Sequence, residues 1–446
     1  MRKAAFATLG CKVNQYDTET IKGMFQAKGY EIVDFSQIAD VYIINTCSVT
    51  SLSEKKSRQL MRRASRLNEN AIIAVTGCYA QVAKEEIEKI PEIDVITGSS
   101  NRKDIINLVE QKFKEKENEL SSKNKITSIK EFSSFEDIPI LFPPKRTRAF
   151  LKIQDGCENY CSYCIIPHTR GKFRSRSLES IIAESKRLIE NGFQEIVLTG
   201  INLAAYGQDL GKRGSLVNVV KEILQLQNLK RLRLGSLELL EVADSLIDLF
   251  NSEDRLCKHL HLPLQSGDDF ILKEMNRHYT TSYYREKVNN IRSKVQDISI
   301  TTDVIVGFPG ETEEYFNNTA NFIDEMKFAK VHIFPYSKRP KTKAYYLKDQ
   351  VSEQVKKERV KILEQISENN KEDFEKSFIG KKTKVLFEEE KTVQINGENE
   401  KFIEGLTENY LRVFVPFNAD YLGDVAKIKV TEHKDQYLFG EILEKQ

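Results

Sequence analysis

The sequence predicts an α/β protein built in three parts: an open parallel α/β sheet, a partial (β/α)6 barrel and a small antiparallel β-barrel. Three observations lead there. Residues 4–112 alternate short apolar runs with helical patterns, residues 147–345 repeat that alternation through six strand-helix units, and beyond Gly380 the pattern turns to short alternating strands with no helix between them.

In the first part, strands are expected at 4–10, 41–46, 71–76 and 94–98, separated by helices, as in a parallel sheet with crossover connections. The apolar stretch before Cys11 is too short for a signal h-region of roughly 7 to 15 residues followed by a cleavage site, and is read as the first strand. Residues 113–146 are charged, poor in apolar periodicity and then marked by prolines, which places a linker between parts at 1–112 and 147–377. Strands of the second part are expected at 150–156, 195–200, 231–236, 259–266, 300–308 and 331–337, fewer than the eight of a closed barrel. Its first helix carries Leu178, Ile181, Ile182, Leu188 and Ile189 on one face, with Gly192 as its stop. Residues 352–377 read as a charged linking helix with Val355, Ile362, Leu363 and Ile366 as the buried stripe. Strand segments at 382–389, 401–417 and 424–433 make up the third part, 378–446.

Across 446 residues, 68 Lys and Arg face 66 Asp and Glu, and no apolar run approaches the roughly 18 to 20 residues that span a bilayer. No membrane partner is expected. The net charge of +2 does not itself indicate nucleic acid, but the basic runs at 53–66, 143–148, 168–176 and 337–343 are candidates for phosphate contact. Seven cysteines, several of them grouped and none led by an export signal, indicate a reducing compartment, so the expected localisation is cytoplasmic.

Six of those cysteines form two trios. Cys11, Cys47 and Cys78 each directly follow an expected strand, and the carboxyl ends of parallel strands share one ligand-binding edge, so the three should converge there. Cys157, Cys161 and Cys164 stand in "CENYCSYC", after the first strand of the partial barrel. Soft thiolates select zinc or iron-sulfur clusters over hard cations. Zinc would take His168 as a fourth ligand, whereas a cubane iron-sulfur cluster on three thiolates keeps one iron open for substrate chemistry. Cys257 lies outside both trios and is assigned to the core. His259 and His261, alternating along a strand, are expected on opposite faces, and neither is chosen as a ligand.

The pattern C-x3-C-x-aromatic-C, formed by Cys157, Cys161, Tyr163 and Cys164, resembles the signature of the radical S-adenosylmethionine (SAM) superfamily. That resemblance implies a 4Fe-4S cluster whose open iron chelates SAM, and one-electron cleavage of the sulfonium bond to a 5′-deoxyadenosyl radical. It also puts SAM contacts at the strand ends, at Gly200, Glu238, Gln265 and Ser266, beside Tyr163 of the motif. "CKVNQYD", "INTCSVT" and "GCYAQ" around the first trio resemble the N-terminal domain of the methylthiotransferases, as do "VLTGINLAAYG", "HLPLQSGDDFILKEMNR" and "DVIVGFPGETEE" further on; the C-terminal barrel resembles that family's RNA-binding TRAM domain. The family implies a second 4Fe-4S cluster on Cys11, Cys47 and Cys78, where the sulfur to be inserted is held. It implies as partners a tRNA anticodon stem-loop, SAM, an electron donor and a sulfur donor. "HTRGKFRSR" is most similar to the type that adds methylthio at C2 of N6-threonylcarbamoyladenosine next to the anticodon. Types acting on isopentenyladenosine or on a ribosomal protein aspartate are the alternatives, and a redox-inactive zinc RNA-binding protein is the reading from a different class.

Overall fold

Strand-helix alternation begins at once in the computed structural model, which describes residues 1–118, 132, 134–142, 147–211, 215–395 and 398–445. The first part runs β1 (Lys3–Thr8), α1 (Lys12–Ala27), β2 (Glu31–Val33), β3 (Val41–Thr46), α2 (Ser51–Leu67), β4 (Ile72–Gly77), α3 (Cys78–Val82), α4 (Lys84–Ile87), β5 (Val95–Ile96) and α5 (Ile105–Asn118). Its five strands are all parallel, in the order β2-β1-β3-β4-β5. The central strands β3 and β4 are buried along their whole length, because helices cover both faces. β2 was not expected from the sequence: it is a three-residue edge strand, too short to show a period. Helix α5 passes through residue 112, the expected end of this part, since Phe113 still packs on the cluster around Ile105, Ile106 and Val109.

The second part comprises β6 (Arg148–Lys152), β7 (Gln154–Asp155), α6 (Ile166–Arg170), β8 (Arg174–Ser175), α7 (Leu178–Glu190), β9 (Glu195–Thr199), α8 (Ser215–Leu224), β10 (Arg231–Leu234), α9 (Asp244–Ser252), β11 (His259–His261), α10 (Asp269–Glu274), α11 (Thr281–Lys294), β12 (Ser299–Val306), α12 (Glu313–Met326) and β13 (Lys330–Pro335). β6, β9 and β10 pair in parallel, as do β11, β12 and β13, and bridges at Leu232–Leu256 and Ser236–His261 join the two sheets. Six parallel strands in chain order, helices outside, make the partial (β/α)6 barrel, with β6 and β13 as its open edges. Helix α1 of the first part packs along β6. Helix α7 follows the expected face: Ile181 and Leu188 are buried, Leu178, Ile182 and Ile189 flank them, and Ser177 caps its start. Each fully buried aliphatic side chain there contributes about 1.5–3 kcal/mol.

Helix α13 (Glu353–Lys376) departs from its expected stripe. Leu363 is buried, but Ile362 is 48% exposed, and the row facing the barrel is Lys356, Arg359, Leu363, Ser367 and Asn370. Polar partners on the barrel side set that rotation: Lys356 Nζ donates to Tyr336 O at 3.1 Å, Arg359 Nη1 pairs with Glu311 at 2.5 Å, and Asn370 Nδ2 donates to Ile323 O at 3.1 Å. The third part closes into a barrel of β14 (Lys382–Ile395), β15 (Glu398–Thr407), β16 (Arg412–Pro416), β17 (Val425–Lys434) and β18 (Tyr437–Lys445), in the order β14-β15-β16-β18-β17. The run 401–417 is two strands, divided by a turn in which Tyr410 takes φ 66°, and β18 is a strand the sequence reading missed. That turn docks on the amino-terminal end of the partial barrel. Arg231 donates to Leu406 O and Thr407 O at 2.7 and 2.9 Å, and Arg233 to Glu408 O and Thr407 O at 3.0 Å each.

Candidate functional site

Helix starts assemble the first trio. Cys11 is the residue before α1, Cys47 follows β3, and Cys78 opens α3 directly after β4. The amides of Asn14 and Val13 point at the Cys11 sulfur. Gly10 makes the approach possible: at φ +106° its position is left-handed, and a Cβ there would lie 3.0 and 3.1 Å from Cys47 Cβ and Sγ. Burial pushes the Cys47 thiol up to about 11, with Cys78 and Cys11 adding to the rise; burial likewise raises Cys11. Cys11 and Cys47 thus resist ionising unless a cation takes the place of their protons.

The second trio occupies the loop after β7. Gly156, at φ +77°, passes so close to the chain that a Cβ would sit 1.8 Å from Lys172 O, and the next residue, Cys157, donates its amide to Gly171 O at 2.9 Å. Ser162 anchors the loop's middle through its amide to Met275 O (3.0 Å) and its hydroxyl to Glu274 O (2.7 Å). Burial raises the Cys157 thiol to about 12 and lifts Cys164 as well. Tyr163 packs against the cluster of Ile271, Met275, Phe308 and Tyr336. Arg277 Nη1 donates to Cys161 Sγ at 3.4 Å while Nη2 grips both oxygens of Glu238 at 2.6 and 2.8 Å.

A buried charge network joins the two trios. Helix α6, two residues past Cys164, packs on α3, which starts at Cys78. From α6, Arg170 donates Nε to Cys78 Sγ (3.3 Å), Nη1 to Asp155 (3.0 and 3.1 Å) and Nη2 to Asp17 (3.1 Å) and Asn14 Oδ1 (2.6 Å). Lys152 pairs with Asp17 at 3.0 Å and Asp155 at 2.5 Å, and Arg102 pairs with Asp17 and Glu136. Burial alone would raise Asp155, but Arg170 and Lys152 outweigh it and hold the carboxyl well below its usual range. Sequence reasoning missed this network. It assigned the run 168–176 to phosphate, yet Arg170, Arg174 and Arg176 are 1, 5 and 1% exposed.

The remaining candidates separate. Gly200 lies against Gln154, whose Cβ a methyl there would meet at 3.0 Å, and Glu238 is the partner of Arg277. Gln265 takes φ 71° and bridges β11 to β12 through its backbone, its amide donating to Asp303 O and its carbonyl accepting from Ile305. Ser266 is fully buried, its hydroxyl shared with Thr319 and the amide of Asp268. His259 and His261 share one face, since both reach Thr301 Oγ1, at 3.1 and 2.9 Å; residues two apart on a strand point the same way, so the expectation of opposite faces fails. Cys257 is buried in the core as expected. Among the described residues, three ligand atoms lie within 4.8 Å of one another in His261, Asp303 and His332, and neither cysteine trio is drawn that close. A tetrahedral zinc with bonds near 2.3 Å would hold its sulfurs about 3.8 Å apart. The trios are too open for one ion.

Two basic runs meet on one surface. α2 lifts Lys55, Lys56, Arg62, Arg63 and Arg66 into solvent, and Ser51 N donates to Ser337 Oγ (3.1 Å) while Arg339 pairs with Glu54 (2.7 Å), which brings Lys338, Lys341 and Lys343 alongside. Tyr346, 75% exposed, stands at the end of the same loop. By contrast the C-terminal barrel has thirteen carboxylates against ten Lys and Arg beyond Gly380, and Lys381, Lys391, Lys401, Arg412, Lys427 and Lys445 are all in ion pairs. Of the run 143–148, residues 143–146 lie outside the described residues, and Arg148 is held by Glu388 at 2.7 Å.

Three family descriptions match in succession: "Uncharacterized protein family UPF0004" over residues 3–98, "Radical SAM superfamily" over 151–323 and "TRAM domain" over 376–443. The chain is 40% identical to the threonylcarbamoyladenosine tRNA methylthiotransferase MtaB of Bacillus subtilis, covering 99% of this chain and 97% of that one. It is 40% identical to the MtaB of Aquifex aeolicus over 92% of this chain and 96% of the other. The tRNA-2-methylthio-N(6)-dimethylallyladenosine synthase of Carboxydothermus hydrogenoformans is 34% identical, over 98% of both chains. In fold, the chain is similar to the radical S-adenosylmethionine methyltransferase TsrM from Kitasatospora setae, with a TM-score of 0.55 at 14% identity and 77% of each chain covered. No helix among the described residues is long and apolar enough to cross a membrane. With relatives this similar along its whole length, the chain belongs to the radical SAM methylthiotransferase family.

Proposed function

We propose that this chain is a tRNA methylthiotransferase acting at C2 of N6-threonylcarbamoyladenosine next to the anticodon, with Cys157, Cys161 and Cys164 holding one 4Fe-4S cluster and Cys11, Cys47 and Cys78 a second. The observation that carries it is the 40% identity over 99% of the chain to a threonylcarbamoyladenosine tRNA methylthiotransferase. The donor chemistry fits the two groups: each set is three soft thiols, open wider than one ion requires, with a guanidinium already donating to one of its sulfurs. When bound, the clusters supply an electron to the sulfonium of SAM at one site and a place for the inserted sulfur at the other. C2 of adenine has neither useful acidity nor a leaving group, which is why ordinary acid-base side chains do not suffice.

The chain's own residues do the positioning. Arg277 and Arg170 donate to the sulfurs of Cys161 and Cys78 and place a fixed positive charge beside each. The buried network through Asp155 and Asp17 locks α6 against α3, which fixes the two trios relative to each other. Gly200 and Glu238, at the carboxyl ends of β9 and β10, are the groups we assign to SAM, with Tyr163 and Gln265 shaping that end of the barrel. Ser266 completes the turn behind them. For RNA, the unpaired cations of α2 and the 337–343 loop suit the phosphates of an anticodon stem better than the paired ones of the C-terminal barrel. Nucleoside mass spectrometry of an anticodon stem-loop treated with anaerobically reconstituted protein, SAM and dithionite tests the substrate. Methylthio product from the threonylcarbamoyladenosine RNA supports the reading, and product only from isopentenyladenosine RNA transfers the chain to the type represented by its 34% identical relative.

A further inference from the structure

Among the described residues, one cation at the open edge of the barrel lacks a counterion. Arg148 has Glu388, Lys152 has Asp17 and Asp155, Arg231 and Arg233 share Glu195, and His261 has Asp303. Lys12 has no carboxylate within ion-pair distance among the described residues. It follows Cys11 at the start of α1, the helix that lies along the open edge β6. Its Nζ stands 6.0 Å from the ring of Phe150 on β6 and 5.7 Å from the ring of Tyr410 in the docked turn. Its charge is also felt by His259 on β11 and His332 on β13. Lys12 therefore stands at the edge β6, between the first trio and a floor made by Tyr410, which stacks on His259 at 4.8 Å.

We propose that Lys12, over the Tyr410 floor, is the subsite for an anionic N6 substituent on the target adenosine. This rests on the substrate reading above and gives it a physical cause. Two aromatic faces compensate an ammonium only partly, so a carboxylate arriving there gains a charge-assisted hydrogen bond that no described side chain supplies. An apolar substituent of the same length would desolvate Lys12 and return nothing. Asp303 on β12 is already engaged by His261 Nε2 at 3.3 Å.

The test measures binding to the reconstituted protein of two anticodon stem-loops, one with N6-threonylcarbamoyladenosine and one whose substituent carboxylate is converted to a neutral methylamide. The wild type should prefer the carboxylate RNA by about tenfold or more, the usual consequence of one charge-assisted hydrogen bond. K12M should bind both alike within about twofold, K12R should keep part of the preference, and K12E should reverse it. The ratio of the two affinities is the readout, so a general loss of RNA binding does not mimic the effect. K12M retaining the wild-type ratio, or a wild type indifferent to the carboxylate, overturns the subsite. A wild type that modifies only isopentenyladenosine RNA overturns the substrate reading instead.

Discussion

Replacing Glu195 by Gln removes the counterion of two buried arginines at the base of the barrel. The Glu195 carboxylate is fully buried and meets Arg231 Nε at 2.8 Å and Arg233 Nε at 2.8 Å. Burial alone would raise its pKa, but Arg231 and Arg233 together pull it from the ordinary 4.5 down to about 2. That displacement corresponds to about 3 kcal/mol of preference for the charged form. Leaving two buried guanidiniums without their counterion costs about 3–5 kcal/mol, so the two figures agree. Because the folded-state pKa is depressed, this stability is present above the ordinary value and is lost as pH falls from 4.5 toward about 2. Urea unfolding at about pH 7 should therefore show E195Q destabilised by about 3 kcal/mol, and the gap to wild type should narrow as pH drops below about 4.5. Arg231 and Arg233 also carry the docked turn, so E195Q should expose the connection after α13 to limited proteolysis. A loss under about 1 kcal/mol, or a gap unchanged in acid, would refute the argument.

Other outcomes follow from the same geometry. Arg170→Met leaves Asp155 and Asp17 with Lys152 but without the second cation they share and should cost about 3–5 kcal/mol in chemical unfolding, where an exposed arginine would cost less than about 1. Gly156→Ala drives a Cβ to 1.8 Å from Lys172 O, and the variant should lose about half of the iron that wild type retains after reconstitution. Reversing Lys55, Lys56, Arg62 and Arg63 to Glu should weaken anticodon stem-loop binding and flatten its salt dependence by about 1 in log-log slope per lost phosphate contact, while Lys382→Glu with Lys384→Glu should change it much less.

The order of strands and helices was legible because each central strand is a short apolar run bounded by a turn, as Val41–Thr46 and Ile72–Gly77 are. So was the meeting of Cys11, Cys47 and Cys78, since parallel strands deliver their ends to one edge. What stayed hidden depended on partners far away in the chain. Arg170, Arg174 and Arg176 read as a solvent-facing basic run, and Asp17, Asp155, Asp137 and Glu184 draw them inside. Of the expected stripe on α13, Leu363 and Ile366 pack on the barrel, but Ile362 faces solvent because much of the buried row is polar and matched to Tyr336, Glu311 and Ile323. Lys12 drew no notice in the sequence, because its significance lies in the carboxylate that is missing around it.

Iron content together with product analysis for two triple alanine variants tests the pairing of the trios most directly. Wild type should bind about eight irons per chain and each variant about four. The variant lacking Cys157, Cys161 and Cys164 should neither cleave SAM nor make product, and the variant lacking Cys11, Cys47 and Cys78 should still cleave SAM but insert no sulfur. Methylthio product from the second variant, or an unchanged iron content in either, would contradict the account.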